Sequence, residues 1–402
     1  MLRLGDLYPD IQQLAAQQLA LQADRARRRA HTVARFEEYA QQAEGWAQRT
    51  RQADTKLQLC ELASDPARTH VAEPAPDSYT LAATDGSQIY PDRHGAAVWF
   101  VLNMGLVTLH YGTESHARLA SEPRLFADER EVFRGVLGQR QTVTAEEVGV
   151  VRTVEELRAL LALVYETPRR PLLALLDGRL LPWSWVGDGF KESRLTEYAA
   201  LLAEFERLGV PLASYVSRSG ANEVVNLVRL GDCDQPRVVC RACPHLRAVE
   251  AATGSETFTV AEAQALPCGT PAGLVDADIL GTLLVPGERS ALFAEVNSAA
   301  ARVGQRAAFF YLAVDGEEIA RVEMPLWVGR DEAMVSFVHA VLVDQLRKGQ
   351  GYPVALREAH EQAVVRGPDR AAFIALLERA LARQQVPVRH SRKSRSKQVP
   401  GV

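Results

Sequence analysis

The chain predicts an α/β fold: a mixed sheet flanked by helices, with a long helical segment before it and a helical part after it. Two stretches carry most of that prediction. Tyr79–Asp85 and Pro171–Asp177 are short runs without lysine, arginine or glutamate, apolar or β-forming, and each ends in Asp-Gly. Between them, Thr144–Glu166 repeats Val151, Val154, Leu157, Leu160, Leu161 and Val164 at helical spacing. Buried strands that alternate with amphipathic helices are satisfied by helices layered on a sheet.

Composition bounds the rest. The 402 residues are 47% hydrophobic and 24% charged, enough for one large domain or two modest ones. The formal net charge of -4 gives no bulk attraction to nucleic acid, so such binding would need local patches. The opening MLRLGDLYPDIQQL has no apolar run of signal-peptide length, and no stretch approaches the ~20 apolar residues of a membrane span. The five cysteines suit a reducing compartment better than a disulfide framework. A soluble, cytoplasmic protein without a membrane partner is expected.

In chain order, 10–63 reads as one long helix or a helical hairpin, dense in Ala, Gln, Leu, Arg and Glu. Its apolar residues Ile11, Leu14, Leu19 and Leu21 thin out early, so it needs a surface to lie against: a second subunit or the sheet domain. The N-terminal segment 1–70 is therefore expected to serve dimerisation. A proline-containing linker precedes the main domain, 78–385. Thr80–Asp85 is its first strand, and Gly95–Tyr111 reads as two more, broken near Asn103 and Gly105. Glu114–Gly138 is charged and reads as an irregular excursion. The helix Thr144–Glu166, the strand ending at Asp177, the helix Glu192–Leu208 and the strand Leu212–Ser217 follow. Val224–Pro271 has no readable period, and Leu274–Leu284 begins a helix or a strand. Strands at Ala307–Val314 and Glu318–Met324 precede helices Asp331–Lys348, Val354–Val365 and Asp369–Gln385. The basic tail 386–402 lacks apolar periodicity and is expected to be disordered. The core order matches the RNase H-like fold, whose acidic residues gather at one sheet edge.

Asp85 and Asp177 each follow a strand apolar enough to be central in a sheet. One such Asp-Gly is explained by a turn. Two at neighbouring strand ends are what a divalent-metal site needs, because hard cations take carboxylate oxygens. The glycine lets the chain turn or a ligand come close.

The TDGS of the first strand, LLDG of the fourth, GVPLASYVSRS, PGERSALF and RVEMPLWV…GQGYPVALREAHEQA, in that order, resemble the NurA nuclease family from about Thr80 to the last helix. The resemblance implies an RNase H-like core and a manganese-dependent 5′–3′ nuclease. It also implies a homodimer that works with the hexameric HerA translocase, an ATPase, in resecting DNA double-strand-break ends. It puts metal-binding aspartates on Asp85 and Asp177 and a histidine on His360. The acidic residue of the intervening helix falls on Glu155 or Glu156, and helical phase favours Glu156, which shares a stripe with Leu160 and Leu163. Asp276 is a further metal candidate. A site tyrosine is implied without a position, Tyr311 and Tyr215 being possibilities. Manganese suits carboxylates beside an imidazole, magnesium being the alternative, and a pair of ions ~3.5–4 Å apart would hold attacking and leaving oxygens.

Arg218 and Arg179, just beyond strands that end near the acids, are either phosphate clamps on single-stranded or duplex DNA or neutralising partners of the carboxylates. Cys233, Cys240, Cys243 and His245 have half of a zinc-knuckle spacing, but free thiols are the better reading. Arg389, Arg392, Lys393, Arg395 and Lys397 of the tail would either touch DNA phosphates or solubilise it. Leu326 and Trp327 read as ordinary core. No Walker A loop is present. The rival from another class is a non-catalytic DNA-end or motor-binding protein on the same fold.

Overall fold

A computed structural model describes residues 3–62, 65–91, 97–135, 140–255, 257–296 and 304–386. The described residues form two units: those within 3–73, 216–296 and 306–339 make one, and those within 74–215, 304–305 and 340–386 the other.

The second unit is built on β1 (Tyr79–Ile89), β2 (Phe100–Tyr111), β3 (His116–Phe126), α1 (Ala145–Glu166), β4 (Leu172–Asp177), α2 (Gly189–Leu208), β5 (Leu212–Val216), α3 (Val354–Ala363) and α4 (Gly367–Arg383). Its strands lie in the order β3-β2-β1-β4-β5. β1, β2 and β3 form an antiparallel meander, while β4 runs parallel to β1, and β5 parallel to β4. Parallel neighbours need crossovers, which α1 and α2 supply. This is the RNase H-like sheet.

Local sequence explains each piece. Leu172–Leu176 of β4 is buried on both faces, as a central parallel strand must be. Thr144 and Glu147 close a capping box at the start of α1. Gly209, at φ 62°, ends α2 and turns the chain toward β5.

Two sequence-based strand expectations are corrected. Among the described residues of that stretch, 97–111, there is one strand and not two: β2 has 12 residues, with Asn103 and Gly105 inside it. Gly105 marks a close approach instead of a break, since a Cβ there would lie 2.0 Å from the Ala359 carbonyl oxygen of α3. The third strand of the meander lies in the charged stretch after Glu114, where the sequence reads as an irregular excursion. β3 is exposed along nearly its whole length up to Phe126, an edge strand dressed in charges, so it shows no apolar alternation.

In the other unit the helices Tyr8–Ala40 and Ala43–Arg51 follow one another. Strands Leu59–Glu61, Phe293–Val296, Ala307–Ala313 and Ile319–Pro325 pair antiparallel in that order. The N-terminal segment does not stand apart as 1–70. Phe36 and Trp46 pack into one core with Val224, Leu227, Val228 and Phe309, and Trp46 Nε1 donates to the Leu227 carbonyl at 3.0 Å. Within the unreadable stretch lie helices Glu223–Gly231 and Pro244–Thr253, and Asp276–Leu280 is helical. Ile11, Leu14, Leu19 and Leu21 are exposed. Residues 387–402, with the five basic residues of the tail, lie outside the described residues. No helix among the described residues is long and apolar enough to cross a membrane.

Candidate active site

The site forms where one ladder stops and its neighbour continues. β1 and β4 pair from Thr80↔Leu172 to Thr84↔Leu176. The next residue on each strand is an aspartate, Asp85 or Asp177. β1 does not end there, as its sequence suggests, but stays paired with β2 from Asp85↔Gly105 to Ile89↔Val101. The two Asp-Gly pairs therefore do different work. Gly178 sits at φ 83° with open space around its Cβ position, a turn residue. Gly86 is extended strand, and a Cβ there would lie 2.7 Å from Glu156 Oε1, 2.9 Å from Arg152 Cγ and 2.9 Å from Met104 Cε. Its missing side chain admits the acid of α1.

α1 is moored at that acid: Thr84 Oγ1 donates to the Glu156 carbonyl at 3.0 Å. The Glu156 carboxylate faces Gly86, and Arg152 Nε lies 3.1 Å from its Oε1. Arg152 also donates to Gln88 Oε1 at 2.9 Å. Glu155 turns the other way, to Arg124 at 3.1 Å and to Arg158. Of the two acids left open by the sequence, Glu156 is the one beside Gly86.

α3 brings His360 to the same place. Its Nδ1 lies 2.8 Å from Asp85 Oδ2, while the Gly86 amide donates to Asp85 Oδ1 at 2.8 Å. Asp177 Oδ1 accepts from the Gly178 amide at 2.9 Å. A tyrosine that the sequence reading did not place, Tyr352, hydrogen-bonds to Asp177 through its side chain. Its ring meets Tyr215 edge-on at 5.6 Å, and Tyr215 stands opposite Asp177 in the β4–β5 ladder. The signal was present: Gly351-Tyr352-Pro353 leads directly into α3, after a turn in which Gln350 and Gly351 have φ of 55° and 101°.

These acids feel one another. Burial, with Asp85 and Asp177 adding to it against Arg152, pushes Glu156 up to about 8. Burial and Asp85 also raise Asp177, against the Gly178 amide, Tyr352 and His360. Among the described residues no three His, Cys, Asp or Glu side chains are grouped closely enough to hold a metal ion as they stand. Each carboxylate is turned to a protein partner instead. The donor set nonetheless fits the divalent ion implied by the resemblance. It offers hard oxygens and one imidazole, and crowded carboxylates whose mutual repulsion a cation would relieve.

Asp276 belongs to the first unit and is fully buried; its oxygens accept from the Val225 amide at 2.9 Å and from Tyr311 Oη at 2.8 Å. Burial and Glu223 push it up to about 6. With both oxygens engaged, this arrangement lends no support to the expectation that Asp276 holds a metal, and Tyr311 is its partner. Arg218 is in that unit too, acting on Glu318, and Arg179 is exposed just after Gly178. Cys233, Cys240 and Cys243 are free thiols, and His245 lies 2.8 Å from Asp234.

Three solved structures align with this chain at 13% identity. The crystal structure of NurA covers 76% of this chain and 90% of its own, with a TM-score of 0.37. NurA with manganese covers the same 76% and 90% at 0.32. NurA bound to dAMP and manganese covers 73% and 86% at 0.34. No curated protein matches. The model of the NurA domain matches residues 79–365, a span that takes in β1 through α3 and with them Asp85, Glu156, Asp177, Tyr352 and His360. On that match the chain belongs to the NurA family.

Proposed function

We propose that the chain is a divalent-metal-dependent deoxyribonuclease, with manganese preferred and magnesium an alternative. The meeting of Asp85, Glu156, Asp177 and His360 around the end of the β1–β4 ladder carries this reading. Asp85, Glu156 and Asp177 would hold the metal, a pair of ions in the fuller reading, with His360 as a fourth ligand or as the proton carrier. The bound metal supplies Lewis-acid stabilisation of charge on the phosphate oxygens.

The chain's own groups do the rest. Arg152, against Glu156, favours the charged form of that carboxyl and opposes the effect of its burial. Tyr352 and the Gly178 amide orient Asp177 and favour its charged form against burial and Asp85. His360 is 65% exposed with one nitrogen against Asp85, so the rest of the ring is free to exchange a proton with water or a leaving oxygen. Arg179 and Arg218 remain proposed phosphate contacts.

The family resemblance supports a finer reading: 5′–3′ exonuclease and single-strand endonuclease activity in double-strand-break end resection, in the cytoplasm, by a homodimer coupled to a HerA-like hexameric ATPase. The exposed Ile11, Leu14, Leu19 and Leu21 suit the N-terminal helix to a second subunit.

End-labelled single- and double-stranded DNA incubated with manganese, magnesium or EDTA tests the proposal, with wild type beside Asp85→Ala and Asp177→Ala. Manganese-dependent degradation lost in both variants is expected. A folded protein that cleaves under no metal, alone or with a HerA-like partner, would overturn it in favour of a non-catalytic DNA-end binder.

A further inference from the structure

α3, the helix that carries His360, is tied down at both ends by buried side-chain amides. Its N-cap, Pro353, offers no side-chain cap, and the Ala355 amide instead donates to Oε1 of the fully buried Gln345 at 3.2 Å. At the other end the last carbonyls have no following turn to accept from. Asn103 of β2 donates its amide to the Gln362 carbonyl at 3.2 Å and to the Ala363 carbonyl at 2.8 Å. The Ser87 hydroxyl of β1 also donates to the Ala363 carbonyl. Ser121 of β3 donates to Asn103 Oδ1 at 2.9 Å, which fixes the face of the amide turned to the helix.

Strand register links this cap to the chemistry. Asp85 stands opposite Gly105, and Ser87 stands opposite Asn103, in the same β1–β2 ladder. Gly105 lets α3 lie directly on the strand. The ladder that presents the aspartate thus also presents the polar groups that hold the last turn of the histidine's helix. Burying an amide costs solvation that an apolar residue would not, and here both of its hydrogens are spent on α3.

Resting on the nuclease reading above, we infer that Asn103, oriented by Ser121 and assisted by Ser87, is a positioning residue that holds the His360 imidazole against Asp85. It touches no substrate; its effect passes through α3.

Asn103→Asp keeps the shape but replaces the donor with an acceptor facing two carbonyl oxygens. Asn103→Ala removes the side chain. With manganese and linear DNA, each should lower kcat by ~10–100-fold while KM changes by no more than about twofold. In a His360→Ala background, Asn103→Ala should cause no further loss. Multiplying losses would overturn the inference. In metal-free protein with 15N-labelled histidine, the His360 signal, assigned by its loss in His360→Ala, should move in Asn103→Asp. A folded Asn103→Asp with unchanged kcat and an unchanged His360 signal would overturn it. If both Asn103 variants fail to fold, Ser121→Ala and Ser87→Ala each delete one hydrogen bond and should lower kcat by ~3–10-fold; unchanged rates would overturn the inference. The nitrogen signal needs no nuclease activity, so a wild type that cleaves nothing overturns the function proposal while the positioning is still read.

Discussion

Nδ1 of His360 lies 2.8 Å from Oδ2 of Asp85, two residues separated by 275 positions in the chain. The pair joins the only described histidine of α3 to the middle of β1, and it makes the imidazole part of the acidic cluster. His360→Gln should therefore lower manganese-supported cleavage by ~10²–10⁴-fold. Because the ring is largely exposed, the melting temperature should stay within about two degrees. Cleavage assays beside a thermal melt check both halves.

Gly86→Ala should separate activity from stability. The backbone there is ordinary strand, but the added methyl would meet Glu156 Oε1 at 2.7 Å and Arg152 Cγ and Met104 Cε at 2.9 Å each, the first being the far end of a flexible side chain. The carboxylate is expected to swing aside, at a cost of ~1 kcal/mol in stability and a rate loss of at least ~10-fold. Titrating manganese against cleavage rate would show a weaker apparent affinity for the metal.

Gly105→Ala should act the other way. Its methyl would meet backbone, 2.0 Å from the Ala359 oxygen and 2.6 Å from the Ala363 nitrogen, and neither can step aside without moving α3. A loss of ~3 kcal/mol or more is expected, read as a fall in denaturation midpoint or as insoluble protein.

Stability without metal should depend on pH through Glu156. Burial pushes its carboxyl up to about 8 in the folded chain against an ordinary 4.5, so the folded state keeps a proton that the unfolded state releases between those values. Stability in EDTA should fall as pH rises from about 4.5 to about 8 and then level off. The raised Asp177 adds to the lower part of that slope. Glu156→Gln should flatten the curve and stabilise the metal-free chain above pH 8 by ~1–3 kcal/mol. Manganese should raise the melting temperature more at pH 8 than at pH 5, because at low pH it competes with protons. Melts across pH, with and without manganese, measure each of these.

Tyr352→Phe should leave the fold intact, since the ring still packs on Tyr215. Deleting the hydroxyl removes a hydrogen bond that favours the charged form of Asp177. The manganese concentration for half-maximal cleavage should rise ~3–10-fold, and a metal titration would show it.

Much of the architecture was legible because it repeats locally. The runs ending at Asp85 and Asp177 are apolar enough to be central strands, and the period of Val151 to Val164 announces α1. β3 was not legible, because an edge strand exposed on both faces has no buried side to write a pattern. The grouping of 216–339 with the N-terminal helices was not legible either, since Trp46 and Leu227 have no local sign of each other.

By itself the sequence determined the acidic and imidazole residue types, the two strand-to-glycine punctuations and the helix between them. These are matters of composition and short-range period. Only the tertiary structure decided that Gly86 makes room while Gly178 makes a turn, that Glu156 faces the aspartates while Glu155 faces arginines, and that Asp276 is spent on Tyr311. It also decided that Tyr352 is the tyrosine bonded to Asp177. Each of these depends on which strand or helix lies against the residue, and no local period encodes the identity of a neighbour on another element.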